Sequence, residues 1–254
     1  ARSIWAKLMK VEFGAKREIS WMLPMHCQTA GVSLTAQQPM NNLARVTYQA
    51  LAGVLGGTQS LHTNSFDEAL ALPTDEAVML ALRTQQMIAL ESGVTDTPDP
   101  FGGSYYVETL TKEIEDRATE LMKRIQELGG VVPALEKGFF HREIAETAYR
   151  FETDLGAGRR KIVGVNVHAA AGKMPPILKI KGSVESKQIK SLKKLKKDRD
   201  NAKTQAALGR LKDLARGQEN LLPAILESVE AYASVGEVTN VLQEIFGVYP
   251  TFGG

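Results

Sequence analysis

The alternation of helical and strand-like segments over the first 93 residues restricts the fold of this 254-residue chain more than any other feature. Apolar periodicity and breakers predict, in order, a helix over 1–13, a buried strand over 19–25, a helix from Pro39 to about 55, a strand over 58–63 and a helix over 77–92. Strands separated by helices pair in parallel, and two of them can neither close a barrel nor form a stable sheet alone. Because the chain opens directly into helix-like sequence, we expect it to begin inside a larger fold.

The rest of the chain predicts mainly helices. A turn-rich loop precedes a long helix whose apolar stripe, expected to be buried, is Val107, Leu110, Ile114, Ala118, Leu121, Met122, Ile125 and Leu128. Further segments predict a helix over 141–154, a strand-like run over 161–167, a basic helix over 188–215, a helix from Pro223 and a last helix over 234–246. We therefore divide the chain into three regions, 1–95, 96–170 and 171–254.

Composition excludes several classes of protein. The net charge is +2, with 43% hydrophobic and 24% charged residues, which is ordinary for a globular protein, and nothing in it argues for nucleic-acid or membrane binding. The single cysteine, Cys27, excludes an internal disulfide and favours a reducing compartment, so we expect a cytoplasmic location. The basic run from Lys187 to Arg199 fits the solvated face of a helix better than a nucleic-acid or subunit-docking surface, and it has no aromatic residues for base stacking.

Polar side chains follow the first predicted strand, in the segment from His26 to Gly31. Ligands of parallel α/β folds bind at the carboxyl ends of strands, and residues two apart on a strand share a face. His26 and Gln28 are therefore candidates to project together into a pocket. The alternative is a polar strand end that binds no ligand.

The segment from Gln59 to Asn64 has the same placement on the second predicted strand, with polar side chains at its carboxyl end. Its amides suit hydrogen bonding to uncharged carbonyl groups, while the alternative is capping of the next helix by Asn64 or Asp67. We predict no metal site, because no histidine has a suitably spaced partner. The chain also lacks a nucleophile elbow and a phosphate-binding glycine motif.

Six segments together resemble one known family, the methylmalonyl-CoA mutases. They are HCQTAGVSLTAQQPMNN (His26–Asn42), GGTQSLHTNSFDEALALPT (Gly56–Thr74), LRTQQ (Leu82–Gln86), ESGV (Glu91–Val94), DPFGGSYYVE (Asp99–Glu108) and VGVN (Val163–Asn166). The family includes isobutyryl-CoA, 2-hydroxyisobutyryl-CoA and ethylmalonyl-CoA mutases. The resemblance runs continuously to residue 166 and more weakly to the end of the chain.

The resemblance implies an α/β fold: the last two βα units of a (β/α)8 TIM barrel, followed by a mainly helical C-terminal extension. It also implies adenosylcobalamin as cofactor and a radical carbon-skeleton isomerisation of an acyl-CoA. By motif, His26 and Gln28 match catalytic residues that face substrate and corrin, and Gln59 and Asn64 match substrate-binding residues. Four positions match cobalamin contacts at the barrel mouth: Gly31, Glu68, Ala71 and Leu72.

Two departures from the family pattern shape the expected partners. Val32 stands where some members carry Trp beside the corrin, which weakens an assignment to methylmalonyl-CoA over 2-hydroxyisobutyryl-CoA or isobutyryl-CoA. The earlier barrel strands and the cobalt-ligating DxHxxG motif are absent from this sequence. We therefore expect a hetero-oligomer with a chain that carries the N-terminal strands and a separate cobalamin-binding subunit. A non-catalytic docking subunit of a cobalamin enzyme is the alternative of another class.

Overall fold

The protein is described by a computed structural model over residues 1–172 and 174–248. It is mostly helical with a small parallel sheet, and it divides into two compact units, Ala1–Leu178 (unit 1) and Lys179–Gly254 (unit 2). The division at residues 95 and 170 stays a prediction. Within the described residues, no helix combines the length and apolarity that crossing a membrane requires.

Unit 1 contains one parallel strand pair and six α-helices in its described residues. In chain order these are α1 (Arg2–Lys7), β1 (His26–Gln28), α2 (Asn41–Leu55), β2 (Ser60–His62), α3 (Asp75–Glu91), α4 (Tyr105–Glu127), α5 (Val131–Glu136) and α6 (Phe139–Gly156). A π-helical turn, Leu8–Glu12, extends α1. The two strands pair in parallel across α2, so the predicted alternation of strand and helix is confirmed. The barrel to which these strands would belong stays a prediction.

The first strand lies later in the chain than the sequence predicted. The expected strand over 19–25 is wrong: Glu18–Trp21 forms a 3-10 turn and β1 begins only at His26. The Trp21 indole N–H donates to the Ala15 carbonyl at 2.7 Å, which stabilises the turn. Pro24 has no N–H to donate to a neighbouring strand, so it ends the irregular segment rather than continuing a strand.

Helix α2 packs closely against the sheet. A Cβ on Gly53 would lie 3.1 Å from Cys27 Sγ and 3.5 Å from the Leu61 side chain, so no larger residue fits here without movement of its neighbours. On the same helix, Val46 and Ala50 are fully buried. This contact fixes one face of the strand pair against the helix and leaves the opposite face open.

A buried polar network joins α2 to the VGVN segment. The Asn42 side chain is inaccessible to solvent, donates to the carbonyls of Thr35 and Phe66, and accepts from Arg45 at 2.7 Å. Arg45 is also buried and donates to the Val163 carbonyl at 2.7 Å. The predicted strand-like run over 161–167 is instead a tight turn with one isolated bridge, and the arginine holds this turn against the helix.

The apolar stripe predicted to be buried on α4 is half-buried at some positions and exposed at the others. No residue of this helix is buried, and Leu110, Ile114 and Leu121 keep 39%, 68% and 43% of their surface accessible. The helix itself is confirmed, but the burial of its stripe is a wrong prediction. An amphipathic pattern specifies which face is apolar and says nothing about which element covers it.

Unit 2 consists of four helices in its described residues, α7 (Gly182–Asp198), α8 (Asn201–Ala215), α9 (Leu222–Glu230) and α10 (Val235–Phe246). The predicted single helix over 188–215 is therefore wrong. It breaks at Asp200, whose carboxylate caps α8 by accepting from the Lys203 N–H at 3.0 Å. The core of the unit contains Leu211, and buried hydroxyls satisfied by backbone carbonyls flank it at Thr204 and Ser228.

A buried ion pair joins the end of α7 to α10. Arg199, with 4% of its side chain exposed, donates to both Glu237 oxygens at 2.8 and 2.6 Å. The same carboxylate accepts from the Ser234 N–H and hydroxyl, which completes a capping box for α10. The Arg199 guanidinium and the Ser234 donors hold the pKa of Glu237 far below its ordinary value, against the opposing effect of burial.

Candidate active site

Four polar side chains share the open face of the strand pair. The register sets His26 opposite Ser60 and Gln28 opposite His62, and all four residues are exposed, while Cys27 and Leu61 between them are half-buried. Alternation along a strand accounts for this arrangement. His26 and Gln28 therefore lie on one face, as their spacing predicts. Ser60 and His62, which the sequence analysis did not select, join them there.

Within this face, the closest polar contact is between a histidine and a serine. His26 Nδ1 lies 2.6 Å from Ser60 Oγ, which is a short hydrogen bond between directly opposed residues. In the described part of the chain, the side chains of Gln28 and His62 have no hydrogen-bond partner. The face therefore offers one held imidazole, one free imidazole and one free amide.

Gln59 is not on this face. It precedes Ser60, so alternation directs its side chain away from His26 and Gln28. Its amide accepts from the Met25 N–H at 2.8 Å and donates to the Gly57 carbonyl at 2.8 Å. The structure thus uses this amide to hold the start of β2 beside β1. Its role in substrate binding stays a prediction.

Asn64 lies just beyond β2, at the centre of a buried polar cluster. It is 4% exposed, accepts from the Thr29 hydroxyl at 2.6 Å and donates to Glu68 at 2.5 Å. The other Glu68 oxygen accepts from the Ser65 N–H at 2.7 Å. Both polar ends of the Asn64 amide are therefore occupied by protein, and the substrate contact predicted for it stays a prediction.

Gly31 and Glu68, two of the predicted cofactor residues, meet at this cluster. A Cβ on Gly31 would lie 3.3 Å from Asn64 Nδ2, the same atom that donates to Glu68. Gly31 itself is exposed, and the neighbouring Val32 is 98% exposed. The chain therefore presents bare backbone and an accessible apolar side chain here, above a rigid polar base.

The other two predicted cofactor residues follow in a short irregular segment. Ala71 is half-buried and Leu72 is 58% exposed. Asp67 fixes this segment, because its backbone carbonyl accepts from the Ala71 N–H and its carboxylate accepts from the Thr74 N–H and hydroxyl. Thr74 in turn caps α3 by accepting from the Ala77 N–H. The alternative that Asp67 itself caps the next helix is therefore wrong, because Asp67 binds Thr74 and Thr74 forms the cap.

No group of three His, Cys, Asp or Glu side chains capable of holding an ion occurs among residues 1–172 and 174–248. The site contains hydrogen-bonding groups, two imidazoles and an accessible backbone, a combination that can orient a ligand.

Comparison with known proteins bears directly on this arrangement. Residues 1–248 match the family model for methylmalonyl-CoA mutase. The chain belongs to the methylmalonyl-CoA mutase family. The match includes both strand-end segments, so the face and the cluster described above lie inside the family's shared sequence.

Several members of the methylmalonyl-CoA mutase family are similar over nearly the whole chain. The 2-hydroxyisobutanoyl-CoA mutase large subunit of Aquincola tertiaricarbonis is 42% identical over 98% of this chain and 45% of its own length. The methylmalonyl-CoA mutase of Rhizobium meliloti (strain 1021) is 44% identical over 98% of this chain and 35% of its own length. The mitochondrial enzyme of Homo sapiens is 42% identical over 97% and 33%, respectively. The chain thus spans between a third and just under half of these relatives.

Proposed function

We propose that this chain contributes part of the active site of an adenosylcobalamin-dependent acyl-CoA mutase, an isomerase that rearranges the carbon skeleton of a branched acyl group. In this proposal β1 and β2 are the seventh and eighth strands of a (β/α)8 barrel. The observation that carries it is the open face of His26, Gln28, Ser60 and His62 beside the Asn64 cluster. A cytoplasmic location belongs to the same proposal.

The predicted cofactor residues Gly31, Glu68, Ala71 and Leu72, together with Val32, form a rim that fits a large flat cofactor. The exposed backbone at Gly31 lets a planar macrocycle approach where a side chain would hold it away, and Val32 and Leu72 offer accessible apolar surface. Glu68 and Ala71 complete the set that would hold adenosylcobalamin. When bound, that cofactor supplies the organic radical that begins the rearrangement.

The residues of this chain would orient and shield the reacting groups. His26 can donate one hydrogen bond to an acyl carbonyl, and the Gln28 amide can donate or accept beside it. The Asn64–Glu68 cluster keeps the rim rigid, so that these groups stay in place when ligand binds. Radical chemistry needs orientation and exclusion of water more than it needs proton transfer, and hydrogen-bonding groups such as these can supply the orientation.

The substrate class is open between related acyl-CoA esters. Methylmalonyl-CoA and 2-hydroxyisobutyryl-CoA are the two that the relatives favour, since enzymes named for both are 42–44% identical to this chain. Isobutyryl-CoA is a third candidate. Val32, where some family members carry Trp, weakens an assignment to methylmalonyl-CoA over the other two esters.

A non-catalytic docking subunit is the competing proposal of a different class. It would have no reason to retain polar side chains on the open face of the sheet. His26 and Gln28 are both present and exposed there, which favours the catalytic proposal.

Complementation tests the function. We expect the purified chain with adenosylcobalamin and methylmalonyl-CoA or 2-hydroxyisobutyryl-CoA to give no isomerised product. Addition of the part of the relatives that this chain does not cover, as a separate polypeptide, and of a cobalamin-binding subunit should produce turnover. Turnover by the chain alone would contradict the partial-barrel proposal.

A substitution then assigns the site. In the complemented enzyme, His26→Ala should lower kcat by about 10²-fold, because a misplaced reacting group costs roughly that much. Arg83→Ala, on the exposed surface of α3, is the matched control and should leave turnover unchanged. Equal activity of both variants would remove His26 from the proposed site.

A further inference from the structure

We propose that Ser60 is a positioning residue for His26: its hydroxyl donates to Nδ1 and holds the imidazole in the tautomer that carries its proton on Nε2. The inference concerns a residue outside the set matched to the family's site, and its functional meaning rests on the function proposed above. The observation behind it is a contact between two strands that are joined in a fixed register.

The geometry leaves the serine little freedom. The register sets Ser60 directly opposite His26, and the two side chains meet at 2.6 Å on the open face. The Ser60 backbone is held by the strand pairing, because the register is fixed and its N–H donates to the Met25 carbonyl at 3.3 Å. The hydroxyl is thus delivered to Nδ1 by the strand itself.

The direction of the hydrogen bond follows from the available partners. A neutral imidazole has one donor nitrogen and one acceptor nitrogen, and a hydroxyl can serve as either partner. Among the residues that the structure describes, Nδ1 of His26 is the one hydrogen-bond partner within reach of Ser60 Oγ. Donation from Ser60 satisfies the hydroxyl proton and leaves the imidazole proton on Nε2.

This tautomer matches the ligand class. The thioester and amide carbonyls of an acyl-CoA are acceptors, so a histidine that orients them must present N–H and not a lone pair. Second-shell hydrogen bonds of this kind commonly fix which ring nitrogen is the donor. Ser60 would therefore act on the substrate through His26 without touching it.

His62 provides an internal comparison within the same molecule. It lies on the same face one register pair away, is exposed, and has no hydrogen bond to its ring in the described part of the chain. Its tautomer ratio should be that of an unheld imidazole. Any excess of the Nε2–H form at His26 over His62 measures the effect of Ser60.

Nitrogen-15 NMR of the full 254-residue chain tests the proposal. At a pH of about 8.5, where an ordinary imidazole is neutral, long-range proton–nitrogen spectra report the two ring nitrogens separately, and single His→Gln variants assign the four histidines. We expect the Nε2–H to Nδ1–H ratio of His26 to exceed that of His62 by roughly two- to tenfold, the range given by one net hydrogen bond. Ser60→Ala should bring His26 to the His62 ratio, and Ser60→Thr should preserve the excess.

Thr58→Val is the matched control. Among the described residues, the Thr58 hydroxyl bonds to the backbone carbonyls of Met25 and Ser60 and not to the His26 ring, so its removal should leave the His26 ratio unchanged. Equal ratios at His26 and His62 in the unsubstituted chain, or an unchanged ratio in Ser60→Ala, would overturn the proposal. Should Ser60→Ala fail to fold, the comparison of His26 with His62 and the Ser60→Thr variant still decide it.

Failure of this inference is separable from failure of the proposed function. The NMR measurement needs neither substrate nor cofactor. Full turnover of a His26→Ala complemented enzyme would remove the proposed role of His26 and leave the tautomer result standing. In an active complemented enzyme, Ser60→Ala should lower kcat with little change in KM, and Ser60→Thr should restore it.

Discussion

At the scale of single residues, the site depends on side chains whose polar atoms are already used by the protein. Asn64 is the clearest case, because its amide joins Thr29 of one strand end to Glu68 of the following segment. Removing a buried amide leaves its hydrogen-bond partners unpaired. The cost of those unpaired groups exceeds the net contribution of the hydrogen bonds to stability. The cluster is therefore a structural base for the rim, whatever binds above it.

Removal of this amide should destabilise the chain. For Asn64→Ala we expect the free energy of unfolding to fall by about 1–3 kcal/mol, since the Thr29 hydroxyl and the Glu68 carboxylate would lose a buried partner. Urea denaturation at pH 7 measures the change. The matched control, Gln28→Ala, removes an exposed amide and should stay within about 0.5 kcal/mol. Equal effects would show that the cluster is not needed for stability.

The residue-level site was partly predictable. The spacing of His26 and Gln28 was enough to predict that they share a face, because strand alternation is a local rule. The hydrogen bond between the Gln59 side chain and the Met25 N–H was not predictable. Met25 lies 34 residues earlier, and only the pairing register brings the two residues together. Ser60 was missed for the same reason. Its importance comes from the residue opposite, which the sequence alone does not reveal.

At the scale of elements, the junction of α7 and α10 concentrates charge in a small buried volume. Arg199 and Glu237 form a bidentate ion pair, and Lys196 Nζ lies 3.5 Å from the same carboxylate. Sequence periodicity predicted one long helix across residues 188–215, because leucines recur on both sides of the break. The chain forms two helices instead, because the Asp200 carboxylate caps the start of the second one.

The pair should make the stability of the protein depend on pH. The folded pKa of Glu237 lies below the ordinary value of 4.5, so its contribution is complete above pH 4.5 and declines as the pH falls toward the folded pKa. At pH 7, Glu237→Gln should lower the free energy of unfolding by about 1.5–3 kcal/mol. The difference between variant and parent should shrink as the pH is lowered from 5 to about 3.

Urea titrations at several pH values measure this effect. Glu244→Gln is the matched control, because its carboxylate pairs with Lys212 at an exposed site, 57% accessible, where an ion pair contributes little. For the control, the difference in free energy of unfolding between variant and parent should not shrink comparably as the pH falls. A Glu237→Gln penalty that stayed constant from pH 7 to pH 3 would contradict the assignment of acid sensitivity to this carboxyl.

At the scale of the whole molecule, the chain consists of two units with separate cores. Unit 2 carries its own buried residues, including Leu211, Ala207 and Thr204 on α8 alone. The general α/β character and the order of strands and helices in unit 1 could be predicted from local pattern. The partial exposure of the α4 stripe could not, because burial depends on which elements surround a helix.

Unit 2 should fold by itself. Residues 179–254 expressed alone should give a helical circular dichroism spectrum and a cooperative thermal transition. Leu211→Ala should abolish that transition, since truncating a fully buried leucine costs about 2–5 kcal/mol, comparable to the whole stability of so small a domain. The control, Leu222→Ala, alters a leucine that is 70% exposed and should leave the transition in place. A non-cooperative melt of the parent fragment would show that unit 2 depends on unit 1.

The two short strands leave open sheet edges, and these affect whether the protein assembles or aggregates when it is produced in a cell. A parallel pair has two outer edges, and each presents backbone N–H and carbonyl groups that can template another strand. The strand that pairs with those edges determines which complex forms. A second copy of the same chain competes for them with any complementary chain. If the chain works with a complementary one as proposed, balanced synthesis of the two would favour assembly over aggregation, and excess of this chain would favour inclusion bodies.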